Sequence, residues 1–235
     1  DADSLLDFVE GIAQATGLPV GIKSAVGELG FWSDLARLMD TTGRGVDFIQ
    51  IDGGEGGTGA APLVFSDHVS LPFKVGFTRV FPLFAERGLD DKIVFIGAGR
   101  LGFPEETAFA MALGCDMVAI AREAMLPIGC IQAQQCHTDK CPTGVATHNR
   151  WLMRGLDPTD KSARLANFVV TLRKELMWLV HATGHHHPYE LLLEDFEVLK
   201  SGFTSDAPRQ LFGYRPEWRM PRPERSAELR KLMRS

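Results

Sequence analysis

Apolar positions along the chain fall into two rhythms, helical spacing and short unbroken runs, and the two take turns. Leu5, Phe8, Val9, Ile12 and Ala13 recur every three or four residues. They predict an amphipathic helix opened by Ser4, with Asp7 completing a capping box, and stopped by Gly17. Pro19 to Lys23 then predicts a short buried strand ending in a lysine. Glu28 to Met39 returns to the helical period, with Trp32, Leu35, Leu38 and Met39 on the packed face. After a turn at Thr42–Gly45, Val46 to Ile51 predicts a second strand, which runs into DGGEGGTGAAP, residues Asp52 to Pro62. Phe73 to Arg87 predicts a helix that Pro82 should kink or divide. A third strand, Lys92 to Ile96, ends in Gly97-Ala98-Gly99-Arg100. Pro104, Glu105 and Glu106 suit the first turn of a helix that stops at Leu113-Gly114. A fourth strand, Met117 to Ile120, leads into Ala121-Arg122-Glu123. Short apolar strands without alternation, each followed by a helix, predict βα units with a parallel sheet covered by helices.

Beyond Arg150 the pattern changes. Ser162 to Thr183 predicts one long helix with Leu165, Phe168, Val169, Leu172, Leu176 and Leu179 or Val180 on one side. Another is expected from Pro188 to Lys200. Pro208, Pro216, Pro221 and Pro223 predict an irregular tail from Ser205, with a short surface helix over 222–235. The expected division is a βα portion over 1–150 and a helical extension with its tail over 151–235.

Composition narrows the function classes. With 235 residues, 45% hydrophobic and 23% charged, the chain can bury a sizeable core. A net charge of −5 and the lack of a long basic run argue against a nucleic-acid surface. No apolar stretch reaches the roughly 18 residues of a membrane span, and no signal-peptide pattern opens the chain. The expectation is a soluble, cytoplasmic protein without a membrane partner. A first residue of Asp1 rather than Met suggests a piece or a processed form of something longer.

Three of the four cysteines, Cys130, Cys136 and Cys141, fall within twelve positions, with Pro142 directly after the last. Thiolates gathered in so polar a loop point to a metal or an iron–sulfur cluster. A disulfide would leave one of the three unpaired. Zinc bound by the three cysteines with His137 or His148 is the alternative ligand set. Cys115, at the entry to a buried strand, reads as core. Trp32, Trp151, Trp178 and Trp218 read as packing, and His185-His186-His187 as a helix boundary.

All four strands end in chemically unusual residues, at the edge where parallel α/β proteins bind ligands. Lys23 finishes an apolar strand, where a charge needs an anion or water. Asp52 to Ala60 holds five glycines in nine positions, permitting positive φ and close approach by a ring or substrate. Its spacing is not that of a dinucleotide fingerprint, and a flexible linker is the plain alternative. Gly97 to Arg100 and Ala121-Arg122 suit an anion held by backbone N–H groups and fixed positive charge. Turn glycines with solvated arginines are the plain alternative there.

Taken together, PVGIKSAVGE, IDGGEGGTGAAPL, GAGRLGFPEE, MVAIAREAM and CIQAQQCHTDKCPTGVAT resemble the FMN-binding synthase domain of the glutamate synthase family, over residues 17 to 150. The resemblance implies a (β/α)8 barrel carrying FMN and a three-iron cluster, with Cys130, Cys136 and Cys141 as cluster ligands. Lys23 would match the lysine near the flavin and the oxo-acid substrate. Gln50, Asp52, Gly53, Gly54, Gly56 and Gly57 would border the cofactor, with Gln50 and Glu55 as weaker candidates for substrate contacts and Glu55 as a second catalytic candidate. Gly97, Ala98, Gly99, Arg100, Ala121 and Arg122 would fall at the FMN phosphate. The implied reaction is reduction of 2-iminoglutarate, formed from 2-oxoglutarate and ammonia, to L-glutamate. Its electrons would come from a donor such as ferredoxin or an NAD(P)H-oxidising subunit. Two departures bear on the substrate: better-known members read SGHDGGTGA, where this chain has Gly54 for the histidine and Glu55 for the aspartate. A related oxo acid, or a non-catalytic metal-binding half-barrel, are the other readings. A full barrel needs about 250 residues, and the four βα units here match its second half. The expected partner is therefore the missing N-terminal half, or a second copy of this chain.

Overall fold

The computed structural model describes residues 1–56 and 62–233. Four strands form one parallel sheet in sequence order: β1 (Gly21–Ala25), β2 (Phe48–Asp52), β3 (Val94–Ala98) and β4 (Met117–Ala119). Parallel neighbours need crossover connections. These are α2 (Gly30–Thr42), α3 (Phe73–Ala85) and α4 (Pro104–Leu113), with α1 (Ala2–Thr16) ahead of β1. The register places Lys23, Gln50, Ile96 and Met117 in one row and, two residues on, Ala25, Asp52, Ala98 and Ala119 in another. The carboxyl ends of all four strands are therefore level.

The two faces of the sheet differ sharply. Ile49, Ile51 and Phe95 are fully buried beneath the helical layer. On the opposite face Val94 is 41% and Met117 57% exposed. Lys23, Gln50 and Asp52 share that face by register.

The core is organised by α3, whose Phe73, Phe77, Phe81 and Phe84 are all buried. Phe77, Phe81 and Phe84 pack edge-to-face with Phe95, at centroid separations of 6.0, 5.3 and 5.8 Å. Pro82 lies inside α3 without dividing it. Burying Phe81 and Phe84 on either side contributes roughly 3–6 kcal/mol, enough to offset the about 3 kcal/mol of an internal proline.

Several expected boundaries shift, each for a local reason. The first helix begins at Ala2, because Asp1 and not Ser4 is its cap: the Asp1 carboxylate accepts from the Ser4 N–H at 2.9 Å. Gly17 ends it in the left-handed conformation, as expected (φ 67°). Strand β1 starts late and runs past Lys23, since the Val20 N–H donates to the Asp47 carboxylate at 2.7 Å. Asp116 likewise accepts from the Phe95 N–H at 2.9 Å.

In the C-terminal part, α5 (Arg122–Met125) is one turn and α6 (Pro158–Ala182) starts earlier than expected, capped by Asp157. Along α6 only Val180 is fully buried, while Val169, Trp178 and Leu179 face outward. Trp151 is 73% exposed, so it and Trp178 are not core residues, whereas Trp32 and Trp218 are. The helix expected over 188–200 is replaced by 3-10 turns at Pro188–Glu190 and Leu193–Asp195, then β5 (Val198–Leu199) paired antiparallel with β6 (Ser205–Asp206). Carboxylates break it: Glu190 accepts from the His186 N–H and Asp195 from the Leu192 N–H. His187 caps the first turn, accepting from the Tyr189 N–H, in keeping with the expected boundary.

The tail, with α7 (Pro208–Leu211) and α8 (Pro223–Leu232), is fastened to the helical layer. Tyr214 stacks on Phe81 (5.6 Å, 6°), its hydroxyl donates to the Leu113 carbonyl at 2.9 Å, and Arg219 Nε donates to the Met111 carbonyl at 3.2 Å. Both carbonyls lie in the last turn of α4, where that of Met111 also accepts from the Gly114 N–H at 3.1 Å and that of Leu113 has no helical N–H ahead of it. Tyr214→Phe keeps the stacking and removes the hydroxyl, and is expected to lower stability by about 1 kcal/mol in urea denaturation. An unchanged midpoint would show that the hydroxyl contributes nothing.

Candidate active site

The level carboxyl edge of the sheet gathers residues far apart in sequence. On its uncovered face, Lys23 Nζ lies 3.1 Å from Asp52 Oδ2, and Gln50 Nε2 donates to Asp52 Oδ1 at 2.9 Å. The lysine side chain is 62% exposed, so this ion pair is screened by water and adds little to stability. Its charge stays close to whatever occupies that face.

After β2 the chain stays tied to its neighbours. The Gly53 N–H donates to the Ala98 carbonyl at 2.7 Å, and the Gly54 N–H to the Leu71 carbonyl at 2.8 Å. Both Glu55 carboxylate oxygens accept from the Phe73 N–H, at 2.9 and 2.8 Å. Phe73 is the first residue of α3, so Glu55 serves that helix's free N–H and favourable dipole end. Gly57 lies outside the described residues. A Cβ on Gly53 would stand 2.5 Å from the Phe73 nitrogen, and one on Gly99 (φ 147°) 2.8 Å from Phe73 Cβ. Gly97 serves packing: its Cβ would meet the Phe73 ring at 2.7 Å and Cys115 Sγ at 2.8 Å, beside a fully buried Cys115.

Arg100, in the left-handed region at φ 53°, and Arg122, at the start of α5, turn toward a common point. That point holds Asp67, a residue the sequence did not single out. Its Oδ1 accepts from the Gly56 N–H at 2.5 Å, from Arg100 Nη2 at 3.0 Å and from Arg122 Nη1 at 3.5 Å. The Gly56 carbonyl accepts in return from the Asp67 N–H at 2.7 Å. Partial burial pushes the Asp67 pKa up, but the Gly56 N–H and the Arg122 and Arg100 charges outweigh it and hold the carboxyl below its ordinary value. A carboxylate held by one backbone N–H and two guanidiniums marks this place as an anion seat, and a phosphate group fits the same donors. Ala98 lies level with Asp52 at the end of β3, and Ala121 caps α5.

The loop after α5 brings Cys130, Cys136 and Cys141 to the wall of one small cavity, with Gln134, Gln135, Pro142 and Thr143. All three are free thiols. Burial raises the Cys141 pKa. The Ala146 N–H, the Thr143 hydroxyl and the Thr143 and Val145 N–H groups overcome that and bring it to about 7. Such surroundings favour a thiolate, the form that ligates metal. The His148 side chain is fully exposed, and its backbone N–H donates to the Asp139 carboxylate at 2.6 Å. Among the described residues, no group of three or more His, Cys, Asp or Glu side chains stands close enough to share one ion. The sulfurs ring a cavity without converging on one point.

The model of a conserved region in glutamate synthase matches residues 2–186. Glutamate synthase large subunit-like protein YerD of Bacillus subtilis is 40% identical over 184 residues, 78% of this chain and 35% of its own length. The archaeal glutamate synthase (NADPH) of Methanocaldococcus jannaschii is 38% identical over 138 residues, 59% of this chain and 27% of its own. A ferredoxin-dependent glutamate synthase of Pyropia yezoensis is 34% identical over 139 residues, 59% of this chain and 9% of its own. The chain thus spans about a third or less of the length of these relatives.

Because Glu55 caps α3, Glu55→Ala is expected to lower stability by about 1–2 kcal/mol in chemical denaturation. Full stability in that variant would free Glu55 from the capping role.

Proposed function

The chain belongs to the family defined by the conserved region in glutamate synthase, and from that premise we propose that it forms part of an FMN- and iron–sulfur-dependent oxidoreductase making L-glutamate from 2-oxoglutarate and ammonia through 2-iminoglutarate. The observation that carries this reading is the level carboxyl edge, where Lys23, Asp52, Arg100 and Arg122 share one rim, with the three thiols in the loop that follows. Residues 1–150 then make half of a (β/α)8 barrel with its cluster loop, and 151–235 an extension. In support, the uncovered face carries exposed Val94 and Met117 where a barrel interior would lie, and β1 and β4 are sheet edges that further strands would pair. The complementary half of the barrel, or a second copy of the chain, is the partner this geometry calls for.

When bound, FMN supplies hydride transfer and the cluster supplies single electrons. The chain's residues do the rest. Arg100 and Arg122 neutralise the phosphate end of the flavin. Gly53 and Gly99 keep the rim low enough for a ring to approach. Lys23 places positive charge on the uncovered face, where it favours a negatively charged flavin edge and a substrate carboxylate. Gln50 and Asp52 orient that lysine. Cys130, Cys136 and Cys141 line one cavity, and three protein thiolates suit a three-iron cluster. The electron donor would be ferredoxin or an NAD(P)H-oxidising subunit, and the compartment the cytoplasm.

A second reading keeps the cofactors and changes the oxo acid. A Cβ on Gly54 would stand 2.9 Å from the Ser70 carbonyl oxygen and 3.0 Å from that of Val69. The histidine of better-known members therefore has no room in this loop as folded. Flavin reoxidation by 2-oxoglutarate with ammonia, compared with other oxo acids, separates the two.

Intact protein purified without oxygen is expected to be brown and to contain iron, acid-labile sulfide and FMN. Lys23→Met should cut reductive turnover roughly a hundredfold, the scale of one lost electrostatic contact in a reaction site, with cluster absorption unchanged. Turnover at the original rate would remove Lys23 from the mechanism, and colourless protein without iron or sulfide would overturn the assignment.

A further inference from the structure

We infer that Asp67 is a resident anion in the phosphate seat, which the flavin phosphate displaces as it binds, releasing the Gly56 N–H that the Asp67 carboxylate holds. This rests on the FMN reading above. The seat holds two guanidinium charges, from Arg100 and Arg122, and one carboxylate charge, from Asp67. A phosphate approaching those arginines meets the Asp67 carboxylate in its place, so the two anions compete through both position and repulsion. Each arginine is also accessible from outside, with side-chain exposures of 52% and 30%.

The exchange reaches beyond the arginines because Asp67 is also the clasp of its loop. Its carboxylate and N–H make reciprocal hydrogen bonds with Gly56. Asp67 stands at φ 65° and nearby Ser70 at φ 76°, conformations that disfavour residues bearing a Cβ. Drawing the carboxylate off Gly56 therefore opens the clasp and lets those positions relax. Seating of the phosphate is thereby coupled to Gly56 and to the backbone around Asp67 and Ser70.

The test compares FMN with riboflavin, which lacks the phosphate, in fluorescence titrations of the intact apoprotein. Asp67→Asn keeps an oxygen acceptor for Gly56 and the arginines but removes the charge. It should bind FMN roughly fivefold tighter, the scale of one partly screened charge pair, with riboflavin affinity unchanged. In the unaltered protein, inorganic phosphate should speed amide hydrogen exchange over residues 64–70, the reverse of the usual protection by a ligand. FMN binding by Asp67→Asn that is equal to or weaker than the original overturns the inference, as does slowed or unchanged exchange. Asp67 would then be a brace for the arginines. Should neither protein prefer FMN to riboflavin, the phosphate seat itself falls, and the FMN assignment with it.

Discussion

The packing of α3 against β3 is the contact on which the rest of the molecule depends. A stripe of phenylalanines on the helix closes over Phe95 and fixes how far α3 stands from the sheet. At one end of the helix, the Phe73 N–H holds the Glu55 carboxylate and with it the loop after β2. At the other end, Phe81 receives the ring of Tyr214 from the tail. The same Phe73 leaves no room for side chains at Gly53, Gly97 and Gly99. Those glycines answer the bulk of one aromatic residue as much as the needs of a ligand.

Charge is arranged on that frame by a simple separation. The helix-facing side of the sheet is apolar, while the other side carries Lys23, Gln50 and Asp52 at its carboxyl edge. Cations at this edge have acidic companions: Lys23 has Asp52, and the two arginines share Asp67. Each carboxylate offsets part of the positive charge beside it, so no cation at this edge relies on water alone.

Legibility followed the range of the forces involved. Gly17 as a stop and Pro104 with Glu105 and Glu106 as a start are local effects, and they are where the pattern places them. The four apolar strands are equally plain, yet β1, β2 and β3 start later than their apolar runs while β4 starts at Met117 as expected; Asp47 takes the Val20 N–H ahead of β1 and Asp116 the Phe95 N–H early in β3. The same competition from side-chain carboxylates turned the expected helix after Pro188 into 3-10 turns. Asp67 was invisible because its arginine partners stand 33 and 55 residues away, and nothing in its own neighbourhood sets it apart. The cysteine spacing was legible, whereas the ring of N–H donors that draws Cys141 toward thiolate is a property of the folded loop.

The tail bears on where a unit of folding ends. The family region stops at residue 186, yet Leu191, Leu193, Tyr214 and Trp218 belong to the same buried cluster as Phe81, Phe109 and Leu113. Cutting at the border drawn by resemblance would strip aromatic cover from α3 and bare the last carbonyls of α4. The stretch that the family model matches and the stretch that shares one buried cluster are different lengths of polypeptide, and the residues beyond 186 serve as cladding for the helices before them.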